Sequence, residues 1–152
     1  MSGIRPTTRA GHAASRLGRT VDRALAETDL TPAGYRLLAY LSTGASAATA
    51  LAEKLVVSRP TITATIDWLE ERGFVTRSPD PVDRRRVTVT TTPMGEQALA
   101  KADQRLTNRL AEVLALLDDS QAASVVAALD HLHDALDRDR SMRHDRIDRP
   151  VT

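Results

Sequence analysis

Apolar residues recur at helical spacing through Ala10, Ala14, Leu17, Val21 and Leu25, which predicts a first helix ending near Glu27. Residues 1–8, with Gly3 and Pro6, read as a flexible N-terminal arm. Leu30-Thr31-Pro32 is a helix start, because Thr31 can cap, Pro32 fits the first helical position and Leu30 can pack back as a staple. That second helix carries Tyr35, Leu38 and Leu41 and stops near Ser42-Thr43-Gly44. A short helical segment is expected over 47–55, with Ala48, Leu51, Ala52 and Leu55 on one side. The next helix is capped by Ser58, has Pro60 in its first turn, aligns Ile62, Ile66 and Leu69, and ends at Gly73. Two helices joined by a turn of a few residues make a helix-turn-helix.

The period then changes. Phe74-Val75-Thr76-Arg77 and Arg86-Val87-Thr88-Val89-Thr90 are β-branched and alternate as half-buried strands do. Ser78 to Arg85 is rich in turn residues, so the pair reads as a hairpin with a basic tip. Thr92-Pro93 repeats the cap-plus-proline signal and opens a long stripe through Leu99, Leu106, Leu110, Val113 and Leu117. After Asp118-Asp119-Ser120 a last helix puts Val125, Leu129, Leu132 and Leu136 on one face. The expected fold is mainly α with a small β-hairpin wing: a winged helix-turn-helix lobe over 31–92, flanked by dimerisation helices over 9–28 and 93–138. Residues 139–152, which alternate Asp and Arg at their start, are expected to be a flexible tail. The outer stripes exceed what the small lobe can cover, and a two-fold homodimer is the commonest way to cover such a stripe.

Composition narrows the function. The 152 residues are 41% hydrophobic but only 3% aromatic, so the core must be aliphatic. There is no cysteine, which excludes disulfides, thiolate metal sites and cysteine nucleophiles. No apolar run approaches the roughly 20 residues needed to span a bilayer, and the first residues lack the apolar stretch of a secretory signal, so a cytoplasmic protein without membrane contact is expected. Glycine-rich phosphate loops, GxSxG and HExxH motifs are missing, and Ser58 is better explained as a cap than as a nucleophile, so an enzyme is not expected. His131 and His133 diverge by about 200° on a helix and cannot share an ion; no metal and no cofactor are expected.

The net charge is only +1, so a nucleic-acid binder of this composition must concentrate its cations locally. It has two places to do so. On the helix after Ser58, the face opposite the apolar stripe carries Pro60, Ala64 and Asp67, flanked by Arg59, Thr61 and Thr63. Small and hydroxylated residues there let the backbone approach a major groove, and Arg59 suits a guanine or a phosphate. Beside the hairpin tip, Arg84, Arg85 and Arg86 follow Asp83, which can pair with Arg85 and brace the wing while another arginine enters a minor groove. The expected DNA-binding set is therefore Ser58, Arg59, Pro60, Thr61, Thr63, Ala64, Arg77, Arg84, Arg85 and Arg86.

The strings LTPAGYRLLAYL, ALAEKLVVSRPTITATIDWLEERGFVTR and SPDPVDRRRVTVTTTPMGEQAL, in this order, resemble the multiple antibiotic resistance regulator (MarR) family over residues 8–138. Its motifs fall on Leu69, Glu70, Gly73, Val75 and Arg77, and on Asp83, Arg84 and Arg85. The resemblance implies a triangular helical homodimer whose fourth helix and wing contact double-stranded DNA. It also implies a repressor acting at a pseudo-palindromic operator and released by a small aromatic or anionic effector. The effector pocket would lie between the dimerisation region and the lobe, where His12 and Arg16 are the candidates. Three positions depart from the family pattern: Val56 stands where a glycine is frequent, Ala64 where an arginine is frequent, and Thr91 where the wing usually has leucine. A protein-interaction module built on the same winged helix is the alternative, since fold alone does not decide function.

Overall fold

The structure, a computed structural model, describes residues 7–44, 46–47, 51–52, 55, 57–80 and 86–147. Its elements are α1 (Thr8–Leu25), α2 (Pro32–Leu41), β1 (Ser46–Ala47), α3 (Arg59–Glu71), β2 (Val75–Pro79), β3 (Val87–Thr91), α4 (Pro93–Leu114) and α5 (Asp119–Ile147). The fold is the mainly helical, winged architecture that the periodicity predicts.

Hydroxyl caps start four of these helices. Thr7, Thr31, Ser58 and Thr92 accept from the backbone N–H groups of Ala10, Gly34, Thr61 and Gly95 at 3.1, 3.1, 3.3 and 3.1 Å. Each satisfies a donor that helix geometry leaves without an intrahelical partner. At the other end of α3, the Gly73 N–H donates to Glu70 O and the Phe74 N–H donates to Leu69 O, a Schellman closure. It puts Gly73 at φ +71°, a conformation that a side chain would oppose.

The core is aliphatic. Leu25, Leu37, Leu38, Leu51, Ile66, Leu69, Val75 and Val89 are fully buried, and no polar or charged residue among those described is. The stripe Ile62, Ile66 and Leu69 fastens α3 against α2 and the sheet. Strands β2 and β3 pair antiparallel from Val75↔Thr91 to Pro79↔Val87. The segment expected to be one short helix over 47–55 differs at its start. Ser46 and Ala47 form β1, which pairs with β3 at Val89 and Thr88 and makes the sheet three-stranded in the order β1-β3-β2. Two residues are too few to show alternation, and an unpaired edge of β3 takes them. Leu51 and Ala52 are helical and buried. Ala48 and Val56 lie outside the described residues.

Burial fades along α4 as it leaves the lobe. Ala98, Leu99 and Ala102 are buried and Leu106 and Leu110 partly so, whereas Val113 near its end and Leu116 and Leu117 just beyond it are exposed, Leu116 to 85%. On α5, Val125, Val126, Leu132 and Leu136 are exposed in the protomer. The helix runs to Ile147, past the Arg138 boundary expected from the sequence. Alternating Asp and Arg do not break a helix, and neither glycine nor proline interrupts the run.

Candidate nucleic-acid interface

Helix α3 turns one face to the core and the other to solvent. Opposite the buried Ile62 and Ile66, the side chains of Arg59, Pro60, Thr61, Thr63, Ala64 and Asp67 are exposed. Ser58 is also exposed; besides capping α3, its hydroxyl lies 2.7 Å from the Thr61 hydroxyl. The Thr61 carbonyl accepts from the Thr65 hydroxyl at 2.9 Å. The N-terminal turn of α3 thus presents a cation, hydroxyls and a small apolar surface at a helix end whose dipole favours anions.

Strand β2 of the wing packs against that helix. Arg86 is exposed just before β3, and its carbonyl accepts the Asp80 N–H at 2.9 Å, which closes the base of the hairpin. The Thr88 hydroxyl donates to Asp80 at 3.3 Å. Asp83, Arg84 and Arg85, expected to form the braced tip, lie outside the described residues.

Arg77, expected among the DNA contacts, has different partners. Its guanidinium gives Nη1 to Glu70 and Nη2 to Asp67, and its backbone N–H donates to Glu70 Oε1 at 3.3 Å. Burial pulls its pKa down, but the hydrogen bonds and charges of the two carboxylates outweigh this and raise it above the ordinary arginine value. Sequence reasoning placed Asp67 on the outer face and Glu70 in the family motif without assigning either to Arg77. The available signal was their spacing, since acids three apart share a helix face.

Three further features escaped the sequence reading. The Arg72 guanidinium lies 3.9 Å from the centre of the Trp68 ring, a cation–π contact at the end of α3. Trp68 and Arg72 line a cleft of about 690 Å³ shared with Asp22, Leu30, Phe74 and Met94. A smaller apolar cavity of about 210 Å³ lies between α1, α4 and α5, lined by Leu17, Val21, Leu106, Leu110 and Leu129. His12 and Arg16, the effector candidates, are exposed on α1 and line neither of these. Among the described residues no group of three or more His, Asp or Glu is placed to hold a metal ion.

The model of the MarR family matches residues 30–87, from just before α2 to the first residue of β3. A protein named for transcriptional regulation of the hcr operon of Thauera aromatica is 31% identical over 105 residues, covering 68% of this chain and 63% of the relative. The chain spans less than two thirds of the length of the curated relatives it matches. Wild-type apo MarR of Escherichia coli superposes with a TM-score of 0.74 at 24% identity, covering 86% of this chain and 98% of that one. The transcriptional repressor CouR, bound to a 23-mer DNA duplex, superposes with a TM-score of 0.68 at 26% identity, covering 84% and 92% of the two chains. With this fold, this helix face and these matches, the chain belongs to the MarR family of winged helix-turn-helix transcriptional regulators.

Proposed function

We propose that this regulator is a homodimer that binds a pseudo-palindromic operator in double-stranded DNA, represses transcription and is released by a small molecule. The observation that carries the reading is the exposed face of α3, where Arg59, Thr61, Thr63 and Ala64 stand opposite a fully packed stripe. A helix so anchored can enter a major groove without disturbing its own core, and the wing beside it supplies a second point of contact. CouR, a repressor of similar fold bound to a 23-mer DNA duplex, supports DNA binding by this one. On this reading Arg84, Arg85 and Arg86 serve the wing, with Asp83 as its brace, and the protein works in the cytoplasm where its DNA is.

The exposed apolar side chains of α4 and α5 support dimerisation through the outer helices, since single protomers rarely leave so much contiguous apolar surface in water. The cleft beside Trp68 and Arg72 supports effector control: a molecule seated there touches both the α1–α2 connection and the end of α3. It is a better candidate than the surface around His12 and Arg16.

The test is to capture genomic fragments on the purified protein, sequence them and titrate the commonest one at several salt concentrations. Enrichment of one palindromic sequence, with affinity falling steeply as salt rises, is the expected result. Random fragments, or binding to protein but not DNA, would favour the protein-interaction module.

A further inference from the structure

We propose that Arg77 is a positioning residue, which clamps the wing to the recognition helix through Asp67 and Glu70 and acts on DNA only through them. The inference rests on α3 and the wing being the DNA-binding surface.

Alternation along β2 puts Val75 and Arg77 on one face of the strand, with Thr76 on the other. Val75 is fully buried, so the stem of Arg77 starts at the edge of the core and its head reaches α3. Glu70 there accepts twice from one residue, from the Arg77 backbone N–H and from the guanidinium. Asp67, nearly a turn earlier on α3, accepts from the other terminal nitrogen. Three donors of a single β2 residue are thus distributed over two carboxylates of the recognition helix. The turn around Gly73 lies between them, so the clamp closes the only covalent link between α3 and β2 into a ring of interactions.

The guanidinium suits this because its planar fork holds two acceptors at fixed angles, which an ammonium cannot do. It is also poorly placed to touch DNA itself. The Arg77 side chain is 26% exposed against 52% for Asp67, and both terminal nitrogens are engaged. Asp67 lies on the outward face of α3, where an unneutralised carboxylate would repel approaching phosphates. Arg77 therefore does two things for the interface: it fixes the angle between helix and wing, and it cancels a charge of the wrong sign.

Three variants and two readouts test this on the full chain, with a genomic fragment that the wild-type protein retains. Arg77→Ala should weaken binding about tenfold, equivalent to about 1.4 kcal/mol, with the slope of log affinity against log salt unchanged. Glu70→Gln should also weaken binding, although it removes a negative charge. In DNA-free protein both variants should speed amide hydrogen exchange across β2 and β3. Arg77→Lys, which keeps the charge and loses the fork, should recover less than half of the lost binding free energy. A fall in salt slope by about one in Arg77→Ala would overturn the proposal and make Arg77 a phosphate contact. Tighter binding by Glu70→Gln, or unchanged exchange in the wing, would overturn it as well. If the wild-type protein retains no DNA, the DNA-binding reading fails, and the exchange measurements still decide whether the clamp exists.

Discussion

The carbonyl oxygen of Phe74 occupies the space that a side chain on Gly95 would need: a β-carbon there would lie 2.0 Å from that oxygen. The same oxygen accepts the Thr92 N–H at 3.0 Å, and the Thr92 hydroxyl donates to Gly73 O at 2.6 Å. The start of α4 is thereby seated on the turn that ends α3, so the long helix is fixed to the recognition helix backbone to backbone. Gly95→Ala in an open helix would gain about 1 kcal/mol from propensity. Here the clash is with backbone that cannot swing aside, and overpacking at the upper end of its range, about 3 kcal/mol, should dominate. A urea melt should show Gly95→Ala less stable than wild type; an unchanged or raised midpoint would contradict the close approach.

Thr91 sits at the end of β3 with its hydroxyl oxygen buried and without a hydrogen-bond partner. The family pattern has leucine here, and the threonine keeps the chain in β geometry while leaving one polar atom uncompensated. Thr91→Val preserves shape and branching and removes that atom. It should stabilise the protein by about 1–2 kcal/mol, read as a higher urea midpoint at constant slope. A loss of stability would mean that the hydroxyl is satisfied, for instance by water.

The long-period features were legible in the sequence because each was announced by several signals at once. Helices α2, α3 and α4 each have a hydroxyl cap, a proline in the first turn and an apolar stripe, and each begins where those signals put it. The outward residues of α3 followed from its inward stripe by geometry alone. What could not be read were contacts between elements. Strand β1 owes its existence to the free edge of β3, and Ala47 carries no strand signal of its own. Arg77 is expected among the DNA contacts, and its sequence position carries no sign of its partners within the fold. Only the fold brings Asp67 and Glu70 to it.

Tyr35 on α2 donates a 2.8 Å hydrogen bond to Asp103 on α4, tying the lobe to the long helix. Burial first, then the hydrogen bond to Asp103 and its negative charge, push the phenol up to about 12. The unfolded phenol titrates near 10. Between those values the folded protein holds a proton that the unfolded chain has released, so raising the pH favours unfolding. This contribution is fully present below pH 10 and is lost as pH climbs from about 10 toward 12. Tyr35→Phe should flatten that decline and cost about 1 kcal/mol at neutral pH for the missing hydrogen bond. Urea midpoints of both proteins across the alkaline range check it; parallel declines would remove Tyr35 as the cause.

Leu132 and Leu136 are 51% and 55% exposed on α5, four residues apart on one face. If a second copy covers that face, Leu132→Asp places a charge in an apolar contact and should shift sedimentation from dimer toward the 16.5 kDa protomer. Operator affinity should fall in step, because each half-site is weak alone and the second one gains from being tethered. A variant that stays dimeric and binds normally would place the dimer contact elsewhere.

The helix and the wing should fail in different ways when their cations are removed. Arg59 is exposed at the start of α3, where an inserted helix meets base edges first. Arg59→Ala should cost about 1–3 kcal/mol of specific binding and relax the preference at one base position if the residue reads guanine. Thr61→Ala is a less clean probe, since its hydroxyl lies against that of Ser58 and the change also disturbs the cap of α3. Thr63, exposed on the same turn and outside the cap, is the better partner for comparison. Arg84→Ala, in the arginine run after Asp83, should weaken binding to many sequences alike and lower the salt slope by about one if it neutralises a phosphate. Asp83→Ala then separates a braced tip from a loose one. A brace predicts weaker binding despite the loss of a negative charge, whereas a solvated acid near DNA predicts tighter binding. Titration of one operator and one scrambled duplex at three salt concentrations resolves all of these, and a pattern in which Arg59→Ala and Arg84→Ala weaken both duplexes equally would deny α3 its role in reading sequence.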